Sequence, residues 1–279
     1  MTGDDEPGPV VVVTGASDGI GAAAARRLHR SGARVVVVGR SPVKTAAVAA
    51  ELGVEWHVCD FARLDDVRAL AEQLLHDHPR IDVLAGNAGA ARPRRELTVD
   101  GNEWTLQVGH LAPYLLTRLL EQPLRAAGGR VVTTASFVHW LGGTRRGRGE
   151  RALDTVPYLA TRAYAKAKLA NLLMTRELAR RWAPDVTATC FDPGAVATNF
   201  GAGAGGVTGL AFRTPLTAFF RTPAQGADTL VWLATAPDGW RNGAHHAHRA
   251  RTWTSMAGRD DRRAAELWDL SARLVGLDP

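Results

Sequence analysis

Tyr164 and Lys168, in the run Ala163-Tyr164-Ala165-Lys166-Ala167-Lys168-Leu169-Ala170-Asn171, have the types and spacing of a proton-transfer pair. At 3.6 residues per turn, positions i and i+4 share one helix face, so a phenol and an ammonium stand side by side. A phenol ordinarily titrates near ~10, and a neighbouring cation stabilises the phenolate. The spacing therefore predicts a lowered phenol pKa and a group able both to give and to take protons. Lys166, two positions on, points elsewhere and is no substitute for Lys168. The plain alternative is an Ala-rich helix carrying an exposed Tyr and two solvated lysines, and the elements around the pair decide between the two.

Those elements begin with Val10-Val11-Val12-Val13, a β-branched run too short for a helix, followed by Thr14-Gly15-Ala16-Ser17-Asp18-Gly19-Ile20-Gly21 and a helical stretch from Ala22 to Arg30. Strand, glycine turn and helix together can hold a pyrophosphate. Glycine lets the backbone approach closely, and the free N–H groups and positive dipole end of the helix attract negative charge. The spacing Gly15-x-x-x-Gly19-x-Gly21 differs from the commoner Gly-x-Gly-x-x-Gly pattern. A second strand, Val35 to Val38, ends in Gly39-Arg40-Ser41, where a doubly wound sheet reads the adenosine ribose. An acid there suits a bare 2′-hydroxyl, whereas Arg40 suits a 2′-phosphate, so NADP(H) is expected over NAD. Asp18 weighs slightly the other way.

The strand from Val54 ends at Asp60, beside Phe61, and suits the adenine amino group. A helix from Leu64 to His78 follows, then a strand Ile81 to Ala85 entering the small-residue turn Asn87-Ala88-Gly89, which can pass beneath a ribose. Further strands run from Arg130 to Ser136 and from Val186 to Phe191. Ser136 sits at a C-terminal strand end, either capping the chain or hydrogen-bonding a carbonyl. Asp192-Pro193-Gly194-Ala195-Val196-Ala197-Thr198 is a rigid turn whose donors can hold a carboxamide. Alternating strands and helices predict an α/β fold, a doubly wound and mostly parallel sheet with helices on both faces.

At 279 residues and 46% hydrophobic content, one large domain over residues 10–279 is expected after a flexible, acidic segment at 1–9. No uncharged apolar run spans a membrane and the start lacks a basic signal, so a soluble, cytoplasmic protein is expected. Cys59 and Cys190 read as buried free thiols. The net charge of +6 is scattered, without an aromatic-interleaved basic stripe, which argues against nucleic acid; the Arg145–Arg151 cluster reads as a solvated loop. His245-His246-Ala247-His248 lacks partner acids or thiols and reads as a solvated surface segment rather than a metal site. Residues 199–223, rich in glycine and holding Phe212, Phe219 and Phe220, suit a lid over an apolar substrate. A last amphipathic helix from Ala264 to Val275 is expected to stop at Gly276.

With these motifs in hand, the chain resembles the short-chain dehydrogenase/reductase family over nearly its whole length. Thr14 to Gly21 is similar to the family's glycine loop, Asn87-Ala88-Gly89 to its Asn-Ala-Gly turn, and Tyr164 with Lys168 to its catalytic pair. The finer resemblance is to the retinol-dehydrogenase-like branch, carried by Leu97-Thr98-Val99-Asp100-Gly101, Tyr164 to Asn171, Asp192 to Asn199 and Leu267-Trp268-Asp269-Leu270-Ser271. The resemblance implies a Rossmann-type fold and hydride transfer between a nicotinamide and a carbonyl or alcohol on a small, lipophilic molecule. It implies Tyr164 as general acid, Lys168 as the group that lowers its pKa and holds the nicotinamide ribose, and Ser136 as the group orienting the carbonyl oxygen. A homo-oligomer is compatible with it. One position departs: where the branch has the Asn linked to a helix kink and a water relay to the lysine, this chain has Gly109, in Gly109-His110-Leu111-Ala112-Pro113-Tyr114. Glycine can still bend the helix and offer a backbone carbonyl. It also keeps open a cofactor-binding sensor or scaffold with weak or no catalysis. His110 is expected to be a packed or surface side chain.

Overall fold

The computed structural model describes residues 8–143, 157–196 and 220–279. The Arg145–Arg151 cluster, Thr198 and most of the expected lid lie outside these residues. Eight strands form one sheet: β1 (Val10–Thr14), β2 (Arg34–Gly39), β3 (Trp56–Val58), β4 (Val83–Gly86), β5 (Arg130–Thr134), β6 (Thr187–Phe191), β7 (His245–Ala247) and β8 (Ala250–Arg251). Their order is β3-β2-β1-β4-β5-β6-β7-β8, parallel throughout except for β8. The chain crosses from one side of β1 to the other between β3 and β4, so the crevice beyond the ends of β1 and β4 is where such a sheet receives a ligand.

The valine run of β1 explains its place. In a parallel strand covered on both faces every side chain is buried, so alternation gives way to continuous apolar sequence. Val10 and Val12 enter one core and Val11 and Val13 the other. Helices α1 (Gly19–Arg30) and α2 (Pro42–Leu52) follow β1 and β2, and α3 (Leu64–Asp77) precedes β4. The stretch before β5 holds α4 (Trp104–Leu106), a π-helical segment Gln107–Leu111, α5 (Ala112–Leu119) and α6 (Glu121–Ala127). The long α7 (Ala160–Arg181) carries the Tyr/Lys pair. After β6 come α8 (Pro223–Gly226), α9 (Asp228–Thr235) and finally α10 (Asp261–Leu274). Leu28 of α1 and Leu230 of α9 pack in one core; Leu74 of α3, Leu115 of α5, Leu178 of α7 and Trp268 of α10 pack in the other.

Two expectations need correction. β3 covers only Trp56–Val58 of the expected Val54–Asp60, at an exposed sheet edge. His245 and His246 are not a solvated segment: both are buried in β7, paired with Cys190 and Phe191 of β6, and only His248 is exposed, in the turn to β8. Burial drives His245 down to about 3 and lowers His246 as well, so both imidazoles are neutral at physiological pH. Cys59 and Cys190 are buried and their thiols are pushed up to about 12, which keeps them protonated. The C-terminal helix stops where its glycine predicts, with Gly276 at φ +69°.

Candidate active site

The glycine loop is pressed against the Asn-Ala-Gly turn. Gly15 has φ +65°, and a Cβ placed there would stand 2.8 Å from the Ala88 backbone, so only glycine meets both the conformation and the contact. Thr14 is the joint between the two motifs, its Oγ1 accepting from the N–H of Asn87 and of Ala88 at 3.1 Å each. The Asn87 amide donates back to Thr14 O at 3.1 Å. Asn87 and Ala88 thus serve architecture directly, as does Thr14, which spacing alone did not single out. Asp18 caps α1 through Gly19 N at 2.7 Å, leaving Ile20 and Gly21 in the first turn.

At the next strand end Arg40 is exposed, with no ion pair among the described residues. Ser17 lies against Gly39, and Lys44 reaches Asp18 at 3.0 Å, so the charge of Asp18 is offset by a cation in the first turn of α2. Lys44 was not foreseen; its clue was its place at the start of the helix that Ser41 caps. Asp60 closes a turn onto Ala62 N at 3.0 Å, and Phe61 is buried, with its carbonyl accepting from Gln107. On the other side, Asp192 folds its turn by accepting from Gly194 N at 2.6 Å and also receives Phe137 N. Arg221 donates to Pro193 O at 3.2 Å, and Gly226 packs so closely on Val196 and Ile20 that a Cβ there would stand 2.7 Å and 3.1 Å from them. Two segments far apart in sequence therefore converge beside the glycine loop.

Tyr164 and Lys168 lie on one face of α7, the ammonium 5.4 Å from the centre of the phenol ring. Lys168 is 2% exposed and donates to Thr134 O at 2.9 Å. A Cβ on Gly89 would stand 3.4 Å from its Nζ, so the lysine reaches the Asn-Ala-Gly turn. Burial lowers Lys168 to about 8, opposed by the Asp192 carboxylate. For Tyr164 the direction expected from the pairing is wrong: burial, seconded by Asp192, holds the phenol well above its ordinary range. Loss of hydration outweighs a cation that is itself desolvated and already engaged with a carbonyl. Ser136 caps the short 3₁₀ turn Phe137–Leu141, which packs against α7, with Val138 N at 3.5 Å from its hydroxyl.

Around Gly109 the helix is a π-turn, and the residue whose N–H would take its carbonyl in an α-helix is Pro113, which has none. Asn171 of α7 donates there instead, at 2.9 Å, and also to Thr134 O at 3.1 Å. Its Oδ1 meets His110 Nδ1 at 3.1 Å, and His110 Nε2 meets Ser271 Oγ of α10 at 2.9 Å. His110 is fully buried and lowered to about 4 by that burial, so it is neutral; Nδ1 donates and Nε2 accepts. Asn171, Thr134 and Ser271 were missed, although proline four residues after Gly109 signals a carbonyl in need of a donor. Leu97–Gly101 has a structural part as well: Gln107 accepts from Thr98 at 2.7 Å and donates to Asp100 at 2.7 Å.

Comparison with known proteins identifies the family. Residues 9–145 match the short chain dehydrogenase family model. A Streptomyces protein named for daunorubicin C-13 ketoreduction, DnrU, is 43% identical over 97% of this chain and 93% of its own length. The chain belongs to the short chain dehydrogenase family. Within this dehydrogenase family it falls in the retinol-dehydrogenase-like branch: mouse retinol dehydrogenase 12 is 35% identical over 97% of this chain and 87% of its own. A short chain dehydrogenase from Escherichia coli CFT073, solved with NADPH, is 28% identical with a TM-score of 0.66, covering 85% of this chain and 95% of that one. The protein is thus an oxidoreductase acting on small molecules. Among the described residues no helix is long and apolar enough to cross a membrane, and no cluster of metal-ligating side chains gathers.

Proposed function

We propose that this dehydrogenase is an NADPH-preferring reductase of lipophilic aldehydes or ketones, able to run the reverse alcohol oxidation. The observation that carries the reading is the Tyr164/Lys168 pair on one face of α7, the lysine buried with its ammonium at the Asn-Ala-Gly turn that the glycine loop presses against. Gly15 to Gly21, with the start of α1, fit a pyrophosphate. Arg40 and Lys44, flanking Ser17 at the ribose end, fit a 2′-phosphate. Asp60 and Phe61 border the adenine side; Pro193, Gly194 and Val196 form the carboxamide side. The Escherichia coli relative was solved with NADPH bound, in keeping with this preference.

The bound dinucleotide supplies hydride chemistry, and the residues of the chain do the rest. Tyr164, kept protonated by burial, holds its proton ready for the carbonyl oxygen as negative charge develops there. Lys168, charged below about 8, holds the nicotinamide ribose and favours the phenolate left after transfer. Ser136 orients the oxygen. The lipophilic character rests on Phe137, next to Ser136 and 68% exposed, with Trp140 6.2 Å away, and on the exposed Trp253 and Met256 of the adjacent segment. Ser255 N of that segment donates to His139 at 3.2 Å. Names among the relatives, for ketoreduction and for retinol oxidation, point the same way. The test is NADPH consumption with a panel of aldehydes and ketones from acetaldehyde to decanal and aromatic ketones. Turnover is expected to rise with apolar size and to fall about a thousandfold in Tyr164→Phe; unchanged turnover in that variant would remove the phenol from the reaction.

A further inference from the structure

We propose that Asn171 supplies, from α7, the side-chain amide that Gly109 lacks, and acts as the positioning residue for Lys168. This rests on the carbonyl-reduction reading above. Three observations meet at this residue. Pro113 leaves the Gly109 carbonyl without its helical N–H, and Asn171 Nδ2 fills it at 2.9 Å. The same Nδ2 shares Thr134 O with the Lys168 ammonium, at 3.1 Å and 2.9 Å. Oδ1 is fixed in turn by His110, and His110 by Ser271. Every member of the chain is buried: Asn171 is 2% exposed, and His110 and Ser271 are fully enclosed.

The arrangement fixes the orientation of the amide. Both carbonyls can only accept, so Nδ2 faces them and Oδ1 faces the His110 Nδ1–H. A neutral, fully enclosed histidine ending on a buried serine is no route for protons to solvent. The chain works as a bracket: it ties the π-turn, strand β5, α7 and α10 to one point, and that point holds the carbonyl on which Lys168 sits. A satisfied buried network of this kind fixes geometry, whereas removing Asn171 leaves the Gly109 carbonyl and the His110 Nδ1–H without these partners and Lys168 alone on Thr134 O. The bracket also explains why Gly109 is not a defect. Its carbonyl already has its donor, and a Cβ at 109 would stand 3.1 Å from Ala167 Cβ, so a side chain there would crowd α7.

The groups that bear electrically on Lys168 are Tyr164 on its own helix, Asp192 after β6, and His110 through Asn171; the Asn-Ala-Gly turn offers none. The test compares the full chain with Asn171→Leu and the isosteric Asn171→Asp, which keeps the shape if the larger change does not fold. With NADPH and decanal, Asn171→Leu is expected to lower kcat about tenfold or more with KM changed less than about twofold. Asn171→Asp is expected to lose rate at high pH and recover part of it on acidification, because a protonated carboxyl regains one donor. Gly109→Asn is expected to lower the rate, not raise it. Independently of cofactor and substrate, the Lys168 ε-amine titration followed by NMR is expected to move from about 8 in Asn171→Leu, and the His110 Nδ1–H signal to be lost. Native kcat with an unmoved Lys168 titration in both Asn171 variants, or a faster Gly109→Asn enzyme, would overturn the bracket. Should the native chain consume no NADPH with any carbonyl, the reaction assignment fails, and the two NMR readouts still decide the role of Asn171.

Discussion

In the first half of the sheet, the strand ends present glycine turns and backbone N–H groups; in the second half they present buried side chains that hold one another through hydrogen bonds. Gly15 and Gly19 take left-handed backbone conformations and Asp18 caps the next N–H, while Thr14 ties this loop to the Asn87-Ala88 turn. Lys168 instead depends on Thr134, and Asn171 on Gly109, while His110 reaches 161 residues to Ser271. The difference reflects two tasks. A dinucleotide can be held by exposed backbone N–H groups, which need only a turn and a helix start. A proton donor must be desolvated and its cation fixed, which takes buried side chains from several elements.

The largest way to break the first region is Gly15→Val. Its Cβ would strike the Ala88 backbone in a left-handed conformation, and NADPH affinity measured by fluorescence is expected to fall about a hundredfold. Undiminished binding would show that the loop can be rebuilt and that its local geometry is not decisive. A smaller change separates the two cofactors: Arg40→Ala is expected to weaken NADPH binding about tenfold and leave NADH binding alone. Equal losses for both would place Arg40 away from the 2′-phosphate.

The second region is sharpened by pH. Lys168 is charged below about 8 and neutral above it, and Tyr164 stays protonated through that range. Carbonyl reduction is therefore expected to be flat near neutrality and to fall a few-fold between about pH 7 and about pH 9, while alcohol oxidation rises over the same interval. A reduction rate that climbs with pH would contradict the burial-dominated titration.

The same division governs what could be read beforehand. The glycine loop, the Asn-Ala-Gly turn, the alternation of strands and helices and the Tyr/Lys face were legible because each follows from short-range pattern: β-branched runs, glycine spacing, helical periodicity. The sign of the Tyr164 shift was not, because periodicity shows which groups are neighbours and says nothing of how much water they lose. His245 and His246 were misplaced for a similar reason. Their burial comes from pairing with β6, to which a run of histidines gives no local clue. Asn171 belonged to a motif without a role of its own, since its partners Gly109, Thr134 and His110 meet it only in three dimensions. Pro113, by contrast, did carry a physical signal that the helix before it needed an outside donor.

In the proposed reaction the carbonyl carbon takes hydride from NADPH while the Tyr164 phenol gives the proton. The most direct measurement is isotope transfer from NADPH deuterated at both transferable positions to decanal, with the product read by mass spectrometry. The native chain is expected to give decanol bearing one deuterium on its carbinol carbon, and Tyr164→Phe about a thousandfold less labelled product. Unlabelled decanol, or labelled decanol formed equally well by Tyr164→Phe, would contradict it.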